Sequence, residues 1–366
     1  MHPSQHKVNQ QQERGIVRSP FRVAIAGLGF GAAVHVPGFR SLPDVEVVAI
    51  AGGSAEKAQR VAHDMGIPAG VGGYENLLNF NLDAVSIALP PKQNAAAAEF
   101  FLGHGIPVLC EKPIAGDVPS ARRLVELSGQ ITHAIDFQFA ELPAFYTARS
   151  AIQSGRIGRV KHIQATWLVE SYANRHQTLT WKRDPLGAGG VLSLFASHTL
   201  YLVGWLVSSI SMVSARLSVK GEMWRDDSNI SPDTCQCWAE LEDGTTLSLM
   251  VSNAAPEMHI HRWEIIGEFG SIVIENTSKD YMSKFTLYII DRQGSHPMDL
   301  SFAGGAGDGR IYAFAALASR FISSVKVATQ TRPSFSDGYR VQSEIEAILE
   351  SNSTQQVVRL SSKREV

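Results

Sequence analysis

The stretch Phe21-Arg-Val-Ala-Ile-Ala-Gly-Leu-Gly-Phe-Gly-Ala-Ala-Val-His35 decides the fold, because an apolar strand runs there into a glycine-rich turn and then into small residues typical of a helix. Gly27, Gly29 and Ala32 fit the pattern G-x-G-x-x-G/A. The first glycine allows a tight turn, the second lets the backbone approach a pyrophosphate, and the small third residue permits close helix–strand packing. The helix N-terminus then offers free N–H groups to phosphates. The stretch predicts a dinucleotide-binding βαβ unit, and the alternative is a merely structural turn.

Alternating strands and helices continue from this unit to residue 137, which predicts a parallel sheet covered on both faces. The first helix is predicted over Ala32–Ser41. The predicted strands are Val23–Gly27, Val45–Ile50, Ala84–Leu89, Pro107–Cys110 and His133–Phe139. Residues 21–137 are therefore expected to form an α/β nucleotide-binding domain.

Strands dominate after a predicted helix near Pro143–Ser154 and a turn at Gly155–Gly158. The turns Glu242–Gly244 and Gly267–Gly270 predict antiparallel hairpins. Two helices are predicted near the end, at Gly309–Val325 and Gly338–Glu350. The apolar run Val191–Ser208 has the length of a membrane span, but polar residues interrupt it, which favours a buried helix. Residues 138–366 are thus expected to form an α+β domain.

Composition excludes several classes of partner. The 366 residues carry 33 Lys plus Arg against 35 Asp plus Glu, so the formal net charge is -2. That balance provides no basic surface for nucleic acid or an anionic membrane, and we expect neither as a partner. Three cysteines cannot form a secreted-type disulfide framework, which favours the cytoplasm. Residues 1–20 are polar and Gln-rich, lack the apolar core of a signal peptide, and are predicted to be a disordered tail.

The end of the second predicted strand bears on the choice of cofactor. An acid at this tip bonds the ribose 2′-hydroxyl of NAD, but here the chain reads Ala51-Gly-Gly-Ser-Ala-Glu-Lys57 with no acid at the tip. Ser54 at a helix N-cap and nearby Lys57 would suit a 2′-phosphate. The pattern favours NADP, with NAD as the alternative. In the simpler interpretation, Ser54 only caps the helix and Lys57 is solvated.

Lys112 follows the fourth predicted strand, in Cys110-Glu-Lys-Pro113. Ligands bind at the carboxyl edge of open α/β sheets, so this lysine is expected at the site. A lysine whose pKa is lowered by burial or neighbours can pass a proton to or from a substrate hydroxyl. Taken alone, the tripeptide Glu111-Lys-Pro113 would favour a surface lysine in a turn.

Further motifs follow in a fixed order. After the glycine turn come Ile87-Ala-Leu-Pro-Pro91, Glu111-Lys-Pro113, Gly155-Arg-Ile-Gly158, Trp181-Lys-Arg-Asp184, Gly187-Ala-Gly-Gly190, His198 and Pro333-Ser-Phe-Ser-Asp-Gly338. This series, over about residues 21 to 350, resembles the glucose–fructose oxidoreductase / inositol dehydrogenase / MocA (Gfo/Idh/MocA) family. The resemblance implies an N-terminal Rossmann domain and a C-terminal substrate-binding domain whose large, mostly antiparallel open sheet joins the subunits of a homo-oligomer.

The resemblance also implies an activity and a site. The family's usual reaction moves a hydride between NAD(P) and a carbinol or keto carbon of a sugar, cyclitol or related polyol. By position, Lys112 would transfer the proton and His198 would hydrogen-bond the reacting oxygen. With the residues identified above, the predicted cofactor site comprises Gly27, Gly29, Phe30, Gly31, Ser54, Lys57, Leu89, Pro90, Asn94, Glu111, Lys112, Trp181 and Arg183.

Two positions depart from the family pattern. Many members place an Asp four residues before the active-site His, and this chain has Leu194 there, which removes one proton-relay partner. Asn94 stands where many members have a His after the Pro-Pro step. An Asn can still hydrogen-bond the cofactor or orient a loop, but it cannot titrate.

No metal site is assigned from the sequence. Cys235 and Cys237 share one strand face but lack the further ligands that zinc needs, so core packing is the better interpretation. His259 and His261 also share a face, again without a third ligand in sequence. Asp136 either reaches the active-site cleft or caps the helix that follows it.

The leading hypothesis is an NADP-preferring oxidoreductase acting on a carbohydrate-like alcohol or ketone. Two alternatives remain open from the residues. The replacement of the helix acid by Leu194 would suit a cofactor-binding sensor or scaffold that has lost turnover. A redox-neutral glycosidase or transferase would instead hold NAD(P) tightly and re-reduce its own substrate.

Overall fold

The computed structural model describes residues 19–176, 178, 180–185, 188–221, 229–300 and 308–360, so nearly all of the predicted tail lies outside the described residues. The strands of the first sheet are β1 Phe21–Ala26, β2 Val45–Gly52, β3 Ala69–Gly72, β4 Ala84–Ile87, β5 Val108–Cys110 and β6 His133–Ile135. Those of the second are β7 Val160–Glu170, β8 Ile210–Ser218, β9 Thr234–Leu241, β10 Thr246–Ser252, β11 Ala254–Gly267, β12 Ser271–Asn276, β13 Thr286–Asp291, β14 Gly294–Pro297 and β15 Val358–Arg359. The α-helices are α1 Val36–Arg40, α2 Ala55–Asp64, α3 Pro91–Gly103, α4 Val118–Ser128, α5 Pro143–Gln153, α6 Tyr172–Arg175, α7 Ser197–Leu206, α8 Gly309–Lys326 and α9 Phe335–Thr354.

The first sheet is parallel throughout, in the order β3-β2-β1-β4-β5-β6, which is the doubly wound Rossmann order. Five strands were predicted and β3 was missed, because its sequence Ala69-Gly-Val-Gly72 has almost no strand propensity. Gly70 is needed there since a Cβ would overlap the backbone carbonyl of Ala58 in α2. The close packing of α2 thus requires a glycine in β3, and that glycine weakens the strand signal in the sequence.

The predicted fifth strand, His133–Phe139, is too long. The sheet pairing ends at Ile135, and a 3-10 turn covers Gln138–Glu141. Just past the end of the strand, Phe137 stacks on Tyr201 of α7, with ring centroids 4.4 Å apart. The end of β6 is thereby directed toward the second half of the chain.

The second sheet has nine strands in the order β14-β13-β12-β11-β7-β10-β9-β8-β15. All its neighbouring pairs are antiparallel except β7 and β10. Both predicted hairpins are present, between β9 and β10 and between β11 and β12. The prediction of a parallel α/β domain followed by a large, mostly antiparallel sheet is confirmed.

Helices pack against both sheets. The apolar run Val191–Ser208 contains a π-helical turn, Leu192–Ala196, followed by α7, whose side chains are largely buried. Near the C-terminus α8 returns to the first sheet, where Phe314, Leu317 and Phe321 share a core with β1. Across the described part of the chain, no helix combines the length and apolar character required to cross a bilayer. The domain boundary at residues 137/138 stays a prediction.

Candidate active site

The glycine turn at the carboxyl end of β1 is shaped by two close approaches. Gly27 has a φ of 130°, and a Cβ there would overlap the carbonyl oxygen of Ala88 at the end of β4. A Cβ on Gly31 would lie 2.9 Å from Cγ2 of Ile25, so the close helix–strand contact falls on Gly31. Gly29 has no atom within 4 Å of such a Cβ and is exposed. The turn thus leaves open space beside Gly29, as a backbone-bound pyrophosphate would require.

The tip of β2 lies beside this turn, because the Gly27 amide donates to the Ala51 carbonyl at 2.9 Å. Ser54 caps α2, its Oγ accepting from the backbone N–H of Lys57 at 3.4 Å. The Lys57 side chain is exposed. The capping role of Ser54 is thus present, and both side chains remain accessible at the carboxyl edge of the sheet.

Asn94 ties the ends of β4 and β5 together. Its Oδ1 accepts from the Leu89 amide at 2.9 Å, while its Nδ2 donates to the Glu111 carbonyl at 3.2 Å. It is fully buried at the start of α3, which begins directly after Pro90. The amide that replaces the family's usual His is therefore a structural clamp between two loops of the predicted cofactor site.

Lys112 bridges the two domains. From the end of β5 its Nζ donates to the Leu194 carbonyl at 2.8 Å and to the Ser193 carbonyl at 3.4 Å. Both carbonyls belong to the π-helical turn before α7. Leu194 stands where the family resemblance implies an acid, and it offers Lys112 its backbone carbonyl oxygen in place of a carboxylate. Burial lowers the pKa of Lys112 to about 8, against the charges of Glu111 and Asp136, which raise it.

A buried ionic cluster lies next to Lys112. His35 Nε2 is 3.4 Å from Glu111 Oε1 and 3.7 Å from Asp136 Oδ2, and its Nδ1 is 2.9 Å from Ser86 Oγ. The other oxygen of Glu111 accepts from the Lys112 amide at 3.0 Å. We interpret this enclosed group as a hydrogen-bonded ion network, with the imidazolium between the carboxylates.

The proton affinities in the cluster follow from burial and charge. Burial works against ionisation of His35, but the nearby Asp136 and Glu111 carboxylates outweigh it and raise the His35 pKa. For Glu111, burial is likewise outweighed, and His35 and Lys112 hold its pKa below the usual range. Asp136 behaves differently, since burial and the Glu111 charge raise its pKa to about 7.

His198 projects from α7 into an aromatic pocket. Its ring centroid is 4.8 Å from that of Phe139 and 6.3 Å from that of Trp167. Burial, and secondarily the charges of Lys112 and His261, hold its pKa well below the normal value. A neutral imidazole has one donor and one acceptor nitrogen, so His198 can hydrogen-bond an oxygen without adding charge.

Trp181 and Arg183 form a 3-10 turn between β7 and α7. Arg183 is buried and donates to Asn174 Oδ1 in α6, and its backbone carbonyl accepts from the Ser231 amide at 2.9 Å. Neighbouring Lys182 lowers the pKa of Lys112. The turn therefore belongs to the electrostatic surroundings of Lys112.

Several predicted residues thus meet at one edge, and some neighbours were missed. The edge holds the glycine turn, the β2 tip, Asn94, Glu111 and Lys112, and Lys112 connects it to the π-helical turn that precedes α7. His35 and Ser86 were not among the predicted site residues, and two interpretations of Asp136 were open. A buried histidine four residues after Gly31 carries no recognisable spacing, because its partners come from β4, β5 and β6.

Comparison with known proteins defines the class of protein. Residues 21–131 match the model of an oxidoreductase family with an NAD-binding Rossmann fold, and residues 145–273 match the GFO/IDH/MocA C-terminal domain. The chain therefore belongs to the Gfo/Idh/MocA oxidoreductase family.

Individual relatives extend over nearly the whole chain. An uncharacterized oxidoreductase of Synechocystis sp. is 29% identical over 346 residues, which cover 88% of this chain and 92% of the relative. Levoglucosan dehydrogenase of Pseudarthrobacter phenanthrenivorans is 25% identical over 373 residues, which cover 90% of this chain and 95% of the relative. A solved levoglucosan dehydrogenase in complex with NADH and levoglucosan has the same fold, with a TM-score of 0.85 at 22% identity, over 94% of this chain and 100% of that one.

Proposed function

We propose that this protein is an NAD(P)-dependent oxidoreductase that interconverts a hydroxyl and a keto group on a sugar, cyclitol or related polyol. The observation that carries the proposal is Lys112, a lysine at the carboxyl edge of a Rossmann sheet with its pKa lowered to about 8. A proton carrier is most effective when its pKa lies near the working pH. Family membership and the levoglucosan dehydrogenase relative support the substrate class.

The residues present fit a nicotinamide dinucleotide. The open space beside Gly29 suits the pyrophosphate, and the clamp made by Asn94 would shape the loops around the nicotinamide. A bound nicotinamide dinucleotide supplies the hydride acceptor for oxidation or the donor for reduction. Phe30, Leu89, Pro90, Trp181 and Arg183 remain predicted contributors to this site.

Two side chains would act on the reacting oxygen. Lys112 Nζ takes the hydroxyl proton in oxidation and returns it in reduction. His198, held neutral by burial, accepts or donates one hydrogen bond to the same oxygen and so orients the substrate. Glu111 fixes the lysine loop through its bond to the Lys112 amide.

Turnover and its pH dependence test the role of Lys112. The purified protein is assayed by nicotinamide absorbance with levoglucosan, myo-inositol and a panel of aldoses. We expect Lys112→Ala to lower turnover roughly 10²–10⁴-fold while cofactor binding stays largely intact. Oxidation needs the neutral amine, so its rate should rise with pH through about 8, whereas reduction should fall over the same range.

The control is Lys284→Ala, an exposed lysine, which should leave both profiles unchanged. Wild-type turnover by Lys112→Ala would exclude the assignment. Substrate conversion without net absorbance change would indicate the redox-neutral reaction instead, and cofactor binding without any conversion would indicate a sensor.

We also propose that NADP is preferred over NAD. The β2 tip carries Ser54 and Lys57, and no acid occupies Gly52–Ala55 to repel a 2′-phosphate. The solved relative named above contains NADH, which is the alternative. Calorimetric titration should give a lower Kd for NADP. Lys57→Ala should weaken NADP binding about five- to tenfold and leave NAD binding nearly unchanged. Tighter NAD binding by the wild type would overturn the preference.

The outer face of the second sheet is proposed as the contact between copies of this chain. It presents Trp238, which is 40% exposed, beside Met250, Thr166 and Arg216 in a shallow groove. Light scattering after gel filtration should show an oligomer that Trp238→Glu dissociates. Tyr146→Glu, at an exposed aromatic on α5, is the matched control, and a monomeric wild type would contradict the proposal.

A further inference from the structure

We propose that Asp136 is a positioning residue for Lys112: its carboxylate, held with His35 and Glu111, supplies the negative charge that keeps the lysine ammonium in place. This is an acid contributed by β6 to a site whose helix carries Leu194 in place of an acid. The inference rests on the proposed proton-transfer role of Lys112.

The surroundings of Asp136 indicate that this carboxylate serves a role other than stabilising the fold. Both carboxylate oxygens are buried, and within the described part of the chain neither has a hydrogen-bond partner of normal length. The His35 imidazole is its ion-pair partner, at 3.7 Å. Burying a carboxylate with so few partners costs free energy, because the water that solvated it is not replaced. Such a group is expected where its charge is used.

The charge of Asp136 acts on Lys112 near neutral pH. Burial of Lys112 disfavours its ammonium form, and the carboxylates of Glu111 and Asp136 oppose that effect. Glu111 stays ionised because His35 and Lys112 hold its pKa low, so its contribution is constant. Asp136, with a pKa of about 7, changes charge in the range where the enzyme would operate. Of the two carboxylates that act on Lys112, Asp136 is therefore the one whose charge varies near neutral pH.

The groups that face Lys112 come from five elements. Glu111 lies at the end of β5 and Asp136 at the end of β6, and both favour the ammonium. Lys182, in the 3-10 turn, disfavours it. Neutral His198 in α7 and the carbonyls of the π-helical turn complete the surroundings. Asp136 is thus one of two anions in this set.

His35 favours the ionised form of Asp136. The histidine is fixed by its hydrogen bond to Ser86 and by stacking on Phe314 of α8, with ring centroids 4.1 Å apart. Its positive charge, 3.7 Å from the carboxylate, lowers the pKa of Asp136, but burial and the Glu111 charge outweigh that effect and raise the pKa to about 7. Removing that positive charge should protonate Asp136, so His35→Gln is expected to affect Lys112 in the same direction as Asp136→Asn.

Lys112 reactivity provides a test that needs no substrate. Trace acetylation with isotopically labelled acetic anhydride, read by peptide mass spectrometry, gives the pH of half-maximal reactivity for each lysine. In Asp136→Asn we expect this midpoint for Lys112 to fall by about one pH unit, because an adjacent opposite charge is lost. His35→Gln should lower it too. Lys284 in the same samples is the internal control.

Asp64→Asn is the matched variant, since it makes the same substitution at an exposed carboxylate at the end of α2. It should leave the Lys112 midpoint unchanged. The proposal is overturned if folded Asp136→Asn and His35→Gln both retain the wild-type midpoint. If the midpoint falls but no substrate is turned over, the cluster has the inferred role and the proposed enzymatic function fails. If Lys112-dependent turnover occurs with an unmoved midpoint, only the present inference fails.

Discussion

The glycines of the first turn are required for two different reasons, backbone conformation at Gly27 and space for a ligand at Gly29. Gly27 is required by its own backbone, because its φ of 130° and its contact with the Ala88 carbonyl leave no room for a side chain. Gly29 has neither constraint, and open space surrounds its would-be Cβ. If a pyrophosphate lies against Gly29, the residue is selected for binding and not for folding.

Alanine substitutions should separate these demands. Gly27→Ala forces a strained conformation and should lower the free energy of unfolding by about 1–3 kcal/mol while also weakening dinucleotide binding. Gly29→Ala should keep wild-type stability but weaken binding at least tenfold, since its methyl group would enter the ligand's space. Urea unfolding and calorimetry with NADP measure the two effects. Full binding by Gly29→Ala would contradict a pyrophosphate at this position.

The sequence alone could place a site residue when that residue directly follows a predicted strand. Lys112 could be placed at the carboxyl edge because the edge of a parallel sheet is implied by strand order alone. His35 could not be linked to Ser86 and Glu111, since these partners lie 51 and 76 residues away and meet only through packing. The Asn94 clamp was likewise anticipated as a loop contact but not as a bond to the Glu111 carbonyl.

At the scale of elements, two π-helical turns flank the site. Gly31–His35 presents the cluster histidine, and Leu192–Ala196 presents the carbonyls that bind Lys112. The sequence predicted ordinary helices at Ala32–Ser41 and Val191–Ser208, because a single wide turn barely alters a 3.6-residue period. Such turns recur at functional sites, which agrees with their positions here.

Helix α8 is expected to be part of the folded unit of the first sheet. Phe314 is fully buried, stacked on His35 and packed edge-on against Phe39 at 5.2 Å. Phe314→Ala should therefore lower the free energy of unfolding by about 3–5 kcal/mol. Phe269→Ala, at a ring that is 70% exposed, is the control and should change it little. A small effect of Phe314→Ala in urea unfolding would show that α8 docks only loosely.

For the whole molecule, the sequence predicted both layers but not the strand order of the second sheet. Alternating apolar residues and hairpin turns indicate antiparallel neighbours, such as β9 and β10. The parallel pairing of β7 with β10 and the edge strand β15 beside β8 join segments far apart in the chain. Local patterns carry no information on these pairings, which depend on global packing.

Two buried histidines should make the whole molecule acid-sensitive. Burial lowers the pKa of His261 to about 3, and it holds the His198 pKa well below 6.5. Both are neutral in the native state, whereas the unfolded chain protonates them below about pH 6.5. The unfolded state then binds more protons, so stability falls as pH decreases, by up to about 1.4 kcal/mol per pH unit for each histidine. His35 has the opposite sign, because its raised native pKa adds stability below pH 6.5 that is lost on passing above that native pKa.

His261→Gln isolates one of these contributions. The amide oxygen can still accept from Trp263 Nε1, which donates to His261 Nε2 at 3.0 Å in the native protein. Unfolding by urea, measured between pH 7.5 and 5.5, should show a shallower loss of stability in this variant, by about 1 kcal/mol per pH unit between pH 6 and 5.5. His63→Gln, at an exposed histidine of α2, should keep the wild-type slope. Equal slopes for wild type and His261→Gln would mean that His261 is protonated in the native state, and the stacked pair it forms with Trp167 would then carry a buried charge.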